Sequence, residues 1–192
     1  IARRQRQMCI RDRLCVVLAT RQLLSYNISM LFVVMLGGYH PLAKIEVHDI
    51  AFSEASDIHQ AIPSLRSQWF GAQDGLHVDS WMQVDGVDGY RIEFNHRPPR
   101  PGDPRLYFVN IGGYEEGVFG ELHNYFLVAA VNSTDAKRMA KQKANSRWLL
   151  PHVDAVQEVD DCFRIRLIDG LYLRLVPGRH NSIKFSNDYF VI

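Results

Sequence analysis

The chain has 192 residues, 47% of them hydrophobic and 22% charged, with a formal net charge of +1. That is globular composition, sufficient for a core without disulfides or a structural metal. No apolar run approaches the roughly 18 residues of a helical membrane span, so a membrane partner is not expected.

The charge is uneven along the chain. Residues 1–29 hold six arginines and one aspartate, which leaves sixteen basic and twenty acidic residues in the remainder. From Met30 onward the net charge is therefore −4, which argues against a nucleic-acid partner. The stretch "RQMCIRDR" (Arg6 to Arg13) reads as translated adaptor or upstream DNA; a targeting peptide would show a small-residue cleavage site after a proper apolar core. Residues 1–29 are thus expected to be a non-native leader, with Met30 as the start. Setting Cys9 and Cys15 aside with the leader leaves Cys162 alone, so no internal disulfide forms and a reducing cytoplasmic compartment is expected. Cys162 itself reads as a small buried hydrophobe.

In chain order, Leu31–Leu36 is a continuous apolar run and predicts a strand covered on both faces. It ends at Gly37-Gly38-Tyr39, where glycine predicts a tight turn or, alternatively, a backbone nest for an anion. Ile45–Ser53 predicts a second strand. Ser56-Asp57 predicts a helix start, with Pro63 either kinking that helix or beginning another. A third strand is predicted from His77 and a fourth from Tyr90. "NHRPPRPGDPR", 95–105, predicts an exposed linker.

From Leu106 the same phrases return. "LFVVMLGGY" matches "LYFVNIGGY", with Gly112-Gly113-Tyr114 in place of the first glycine pair. A helix is predicted from Ser133-Thr134-Asp135 to Trp148, a third strand from His152 and a fourth from Phe163. Asp169-Gly170 between alternating runs predicts a hairpin, and "DYFVI" a last strand. A constant offset of 75 relates Gly37 to Gly112, Glu46 to Glu121, His48 to His123, His77 to His152 and Asp79 to Asp154. The expected fold is α+β: a tandem duplication of a ββαββ unit forming a pseudo-two-fold domain with mostly antiparallel or mixed sheets. The first unit spans 30–94; the second, with a C-terminal hairpin, spans 106–192.

The repeated polar residues carry what chemistry there is. Glu46-x-His48 and Glu121-x-His123 place each pair on one strand face, as do His77-x-Asp79 and His152-x-Asp154. If strands two and three are neighbours, these eight residues converge in two groups. Imidazoles with carboxylates are ligands for zinc, iron(II) or manganese, a general acid–base set, or a satisfied polar network. Arg91 and Arg164 are candidates to pair with the carboxylates. Asp85, Asp88, Asp160 and Asp161 are expected in turns without the ligand order of a calcium loop. His40, His59, His96 and His180, which are not repeated, are expected at the surface.

"MLFVVMLGGYHPLAKIEVHD", "GLHVDSWMQVDGVDGYRIE" and "LYFVNIGGYEEGVFGELHNYFLVA" together resemble the bacterial family of the domain of unknown function 1543, whose members carry one or two copies of a short module. The resemblance runs over nearly all of 30–192. It implies a two-copy member, and no established activity, catalytic residue or cofactor. Two functions follow as expectations. One is a non-catalytic module binding a small molecule or a protein. The other is a small hydrolytic enzyme using the repeated residues as metal ligands or as general acid and base, with convergence around an open cleft as its mark.

Overall fold

The apolar runs at 30–36 and 105–111 become the central strands of two sheets. The computed structural model describes residues 29–144 and 158–192. Its elements are β1 (Met30–Gly38), β2 (Val47–Ala55), α1 (Ile58–Gln68), β3 (His77–Val84), β4 (Gly86–Val87), β5 (Tyr90–Asn95), β6 (Arg105–Gly113), β7 (Leu122–Ala130), α2 (Ser133–Ala144), β8 (Glu158–Arg164), β9 (Leu167–Ile168), β10 (Leu171–Pro177), β11 (Lys184–Ser186) and β12 (Phe190–Val191). Every strand pairing is antiparallel, and the fold is α+β. No helix among the described residues is long and apolar enough to cross a membrane. The predicted leader lies, except for its last residue, outside the described residues, as do Trp148, His152 and Asp154.

One sheet has β1 between β2 and β3, with β11 and β12 on the outer edge of β3. A second has β6 between β7 and β8. Since β2 and β3 both run antiparallel to β1, they are parallel to each other, and α1 makes the crossover between them. Alternation along β1 divides its side chains between two cores. Phe32, Val34 and Leu36 pack with Ala61 and Leu65 of α1, whereas Leu31 and Val33 pack inward with Leu106, Phe108 and Leu127 of the other sheet. On α2 the buried residues are Ala136, Ala140 and Ala144, at helical spacing, which brings its backbone close to β6 and β7.

A third sheet, β4-β5-β10-β9, closes the inner core, and there β10 pairs with β5. The C-terminal strands pair with β3. The segments 30–94 and 106–192 therefore share sheets. Pro63 lies inside a single helix. Asp57 caps α1 as expected, its carboxylate accepting from Gln60 N at 3.0 Å. For α2 the cap is Asn132, one residue before the expected start, exchanging hydrogen bonds with Asp135. The fourth strand expected at Phe163 is not there: Phe163 belongs to β8, paired with Phe108. Asp160 and Asp161 also lie in β8 rather than in a turn.

Two aspartates at hairpin tips tie the segments together reciprocally. Asp88-Gly89 and Asp169-Gly170 all have positive φ, as a tight hairpin with this dipeptide requires. Asp88 accepts from Ala129 N at 3.0 Å and from Lys143 Nζ at 2.8 Å, reaching from the first segment into β7 and α2. Asp169 accepts from Glu54 N at 2.9 Å and from Ser53 Oγ at 3.0 Å and Ser64 Oγ at 2.5 Å, reaching from the second segment into β2 and α1. Hydrogen bonds to a charged acceptor stabilise by about 1.5–3 kcal/mol each, and unpaired donors add a desolvation cost when they are buried. Ser53 is buried. Asp169→Ala is expected to destabilise the fold by about 2–4 kcal/mol in urea unfolding, more than Asp169→Asn does.

Burial, and then the neighbouring Asp169 carboxylate, raise the Glu54 carboxyl above its ordinary value. A carboxyl with a raised folded-state pKa favours folding below its unfolded value and loses that contribution as pH rises through the folded value. Glu54→Gln is therefore expected to be more stable than the native chain at pH 7, the difference closing below about pH 4. Urea midpoints at the two pH values check this.

Candidate functional site

The site is built across β2, β1 and β3. Gly37 in the central strand pairs with His48 on one side and with His77 on the other. Two histidines thus flank a residue with no side chain, and both lean over it. Glu46 lies two residues before His48. Asp79 sits at the irregularity between the Met35–Ser80 and Leu36–Val78 pairs, an extra residue that re-aims its side chain.

Four nitrogen–oxygen contacts form a ring. His77 Nε2 stands 3.1 Å from Glu46 Oε1 and 3.4 Å from Asp79 Oδ1. His48 Nε2 stands 3.3 Å from Asp79 Oδ2 and 3.7 Å from Glu46 Oε2. Each imidazole faces both carboxylates. The His77 side chain is 4% exposed, while those of His48 and Glu46 are 47% and 50% exposed, so the ring has a buried floor and an open side. Asp79 Oδ2 is buried and has no hydrogen-bond partner among the described residues; its contact to His48 is one of proximity.

The glycine pair has a different reason from the one expected. Gly37 and Gly38 are the last residues of β1, paired in the ladder and absent from the positive-φ residues, so they form neither a turn nor a nest. Gly112 and Gly113 end β6 in the same way. Space is what excludes a side chain. A Cβ on Gly37 would collide with His77 Nε2 and lie 2.8 Å from Asp79 Oδ2; one on Gly38, on the opposite face, would lie 3.0 Å from the Trp69 ring. Each glycine serves one face of the sheet.

In the second sheet Gly112 pairs with His123 and with Glu158. Register thus places Glu158 where His77 stands in the first sheet, and Asp160, at the matching irregularity, where Asp79 stands. The offset of 75 holds as far as β7 and becomes 81 in β8, so Asp160 is the counterpart in register that Asp154 was expected to be. The sequence carried this signal: Asp79 and Asp160 each precede an Asp-Gly pair by nine residues. Ligand atoms of Glu121, His123 and Asp160 lie within 4.8 Å of one another. His123 Nδ1 is 3.3 Å from Asp160 Oδ2 and 3.2 Å from Asn110 Oδ1. A Cβ on Gly112 would collide with Glu121 Oε1 and stand 2.5 Å from Asp160 Oδ2.

The remaining candidates are elsewhere. Arg91 pairs with Glu93 on its own strand. Burial raises the Cys162 thiol, more than Lys137 lowers it, which suits a packing residue. His180 is half-buried, and its Nε2 accepts from Gly89 N at 3.2 Å, behind the Asp88 tip. A cavity of about 450 Å³ lies between the inner faces of the two sheets, lined by Val33, Met35, Ile50, Met82, His123 and Tyr125 among others.

The profile of the family Domain of Unknown Function (DUF1543) matches residues 43–94, a span that contains Glu46, His48, His77 and Asp79. The chain belongs to this family. Among solved structures it is similar to the crystal structure of a protein Il1583 from Idiomarina loihiensis, at 31% identity and a TM-score of 0.64, covering 84% of this chain and 96% of that one. No curated protein matches it. The matched span of the DUF1543 profile runs from the approach to β2 through α1 and β3 to β5, so the whole first cluster except its glycine floor falls within the family's own module.

Gly37→Ala is expected to unseat His77 from the ring and lower the melting temperature, because the added methyl meets a buried ring that cannot retreat. Gly75 has open space at its Cβ but a φ of +75°, so Gly75→Ala costs only backbone strain of about 1 kcal/mol. Histidine ring resonances in the two variants check the contrast: displaced for His77 in the first, near native in the second.

Proposed function

We propose that the protein is a non-catalytic ligand-binding module, built from two copies of one unit, that holds a cation over the glycine floor of the second. The observation that carries this reading is the group above Gly112, where ligand atoms of Glu121, His123 and Asp160 lie within 4.8 Å of one another; above Gly37 each imidazole contacts both carboxylates. Groups that only held the fold together would be expected to donate and accept among themselves; here a buried carboxylate oxygen is left without a donor. The two-copy reading is supported by the shared register of β1-β2-β3 and β6-β7-β8, each with one irregularity at the same place.

A second reading, metal-assisted hydrolysis, draws on the half-exposed His48 and Glu46, which leave the ring open to water on one side. It requires a substrate-sized cleft at that opening. The 450 Å³ cavity is lined by His123 of the second cluster and by none of the four residues of the first.

Calorimetric titration of chelator-treated protein with ZnCl₂, MnCl₂ and CaCl₂ tests the proposal. Saturable binding of at least one of the three is expected, weakened at least tenfold by the pair Glu121→Gln and Asp160→Asn. Absence of binding by all three contradicts it.

A further inference from the structure

We infer, building on that cation-binding reading, that the cavity between the two sheets seats a small monocarboxylate with an apolar body, whose carboxylate completes the coordination of the cation held by Glu121, His123 and Asp160.

One residue belongs to both places. His123 contributes a ligand atom to the group over Gly112, and it also lines the cavity of about 450 Å³ between the inner faces. Tyr125, two residues along β7 and therefore on the same face, stacks on His123 with ring centroids 6.5 Å apart and planes 10° apart. It stacks in turn on Phe108 of the inner core at 5.6 Å. This row of rings leads from the packed interior to the cluster.

The cavity wall is apolar and incompletely covered. Leu31, Val33, Leu106, Phe108 and Leu127 are buried together where the sheets close on each other. Around the cavity Met35, Ile50, Met82, Tyr125 and Ile183 are only partly buried, and Phe185 is 72% exposed. Small-molecule sites are concavities of about 300–1,000 Å³ lined mainly by such side chains, with a few polar groups that fix orientation. A cavity of about 150 Å³ already holds benzene, so this one has room for a longer apolar body.

Charge selects the head group. Among the described residues no carboxylate lines the cavity, and the groups able to carry positive charge there are His123 and Lys143. The Lys143 ammonium is matched within the protein, since Nζ donates to Asp88 Oδ1 at 2.8 Å and to Leu127 O at 3.1 Å. The cation beside His123 is what remains for an incoming anion. Three protein donors leave a coordination position open on zinc or manganese, and an oxygen anion entering from the cavity fills it. Ser80, Asn124 and Asn187 add neutral donors to the wall.

Calorimetry with octanoate on the full chain tests this. Loaded with whichever of zinc, manganese and calcium binds most tightly, the protein is expected to bind octanoate saturably. That binding is expected to be at least 10-fold tighter than binding of 1-octanol, and at least 10-fold tighter than binding of octanoate by chelator-treated protein. Ile50→Trp fills the cavity, and Phe185→Asp sets a like charge on its wall at an exposed position where folding is least at risk. Each is expected to weaken octanoate at least 10-fold and to leave cation affinity unchanged. If Ile50→Trp loses the cation as well, Phe185→Asp decides. Cation binding without octanoate binding, or octanoate binding that survives chelation or Phe185→Asp, would overturn this inference and leave the cation-binding reading in place. Binding of no cation would overturn both.

Discussion

The site depends on one absent side chain. Gly37 lies in the central strand with His48 and His77 paired to it from either side, and a sheet holds such next-but-one strands about 10 Å apart. Across that gap two imidazoles can meet the same carboxylates only if nothing rises between them. Glycine in a strand interior weakens the strand by roughly 0.5–1 kcal/mol relative to alanine. The cost is offset by the surrounding ladder and by the packing of Phe32, Val34 and Leu36 beneath α1. Gly38 accepts the same cost on the opposite face for Trp69, whose Nε1 donates to Ala72 O at 2.9 Å.

The rest of the fold keeps that row still. His77 is held by its Nδ1 bond to Gly75 O, by Tyr189 and by the pairing of Val191 with its backbone, so the C-terminal strand of the chain braces a residue of the first segment. Asp88 and Asp169 lock each segment onto the other's strand–helix junction, and the β5–β10 pairing closes the inner core beneath both. Neither cluster therefore rests on one segment alone. The first is held by elements drawn from both ends of the described chain.

Much of this was legible in the sequence. The apolar runs, the Asp57 cap and the Asp169-Gly170 hairpin follow from period and residue type and lie where expected; of the Glu-x-His pairs the histidines lie in β2 and β7 and the glutamates just before them. Glu46, His48, His77 and Asp79 come together by a different route from the expected one: β2 and β3 are not neighbours but flank β1, and the four residues meet across Gly37. His152 and Asp154 lie outside the described residues; the ladder instead sets Glu158-Val159-Asp160 beside Gly112 and Ile111, a register that goes with the equal spacing of Asp79 and Asp160 from an Asp-Gly pair rather than with the three matching letters. The glycines were misread for a related reason: a turn and a close approach both call for glycine, and only the neighbouring strands show which applies. The reciprocal reach of Asp88 and Asp169 is a long-range contact that no local pattern carries.

The central claim is that a cation is held over Gly112 among Glu121, His123 and Asp160. Crystals of the protein grown with zinc, measured on both sides of the zinc absorption edge, test it directly. The account predicts an anomalous peak about 2.0–2.1 Å from a ring nitrogen of His123, with carboxylate oxygens of Glu121 and Asp160 beside it. A clear map with no peak there would contradict it and leave the repeated residues as a polar network.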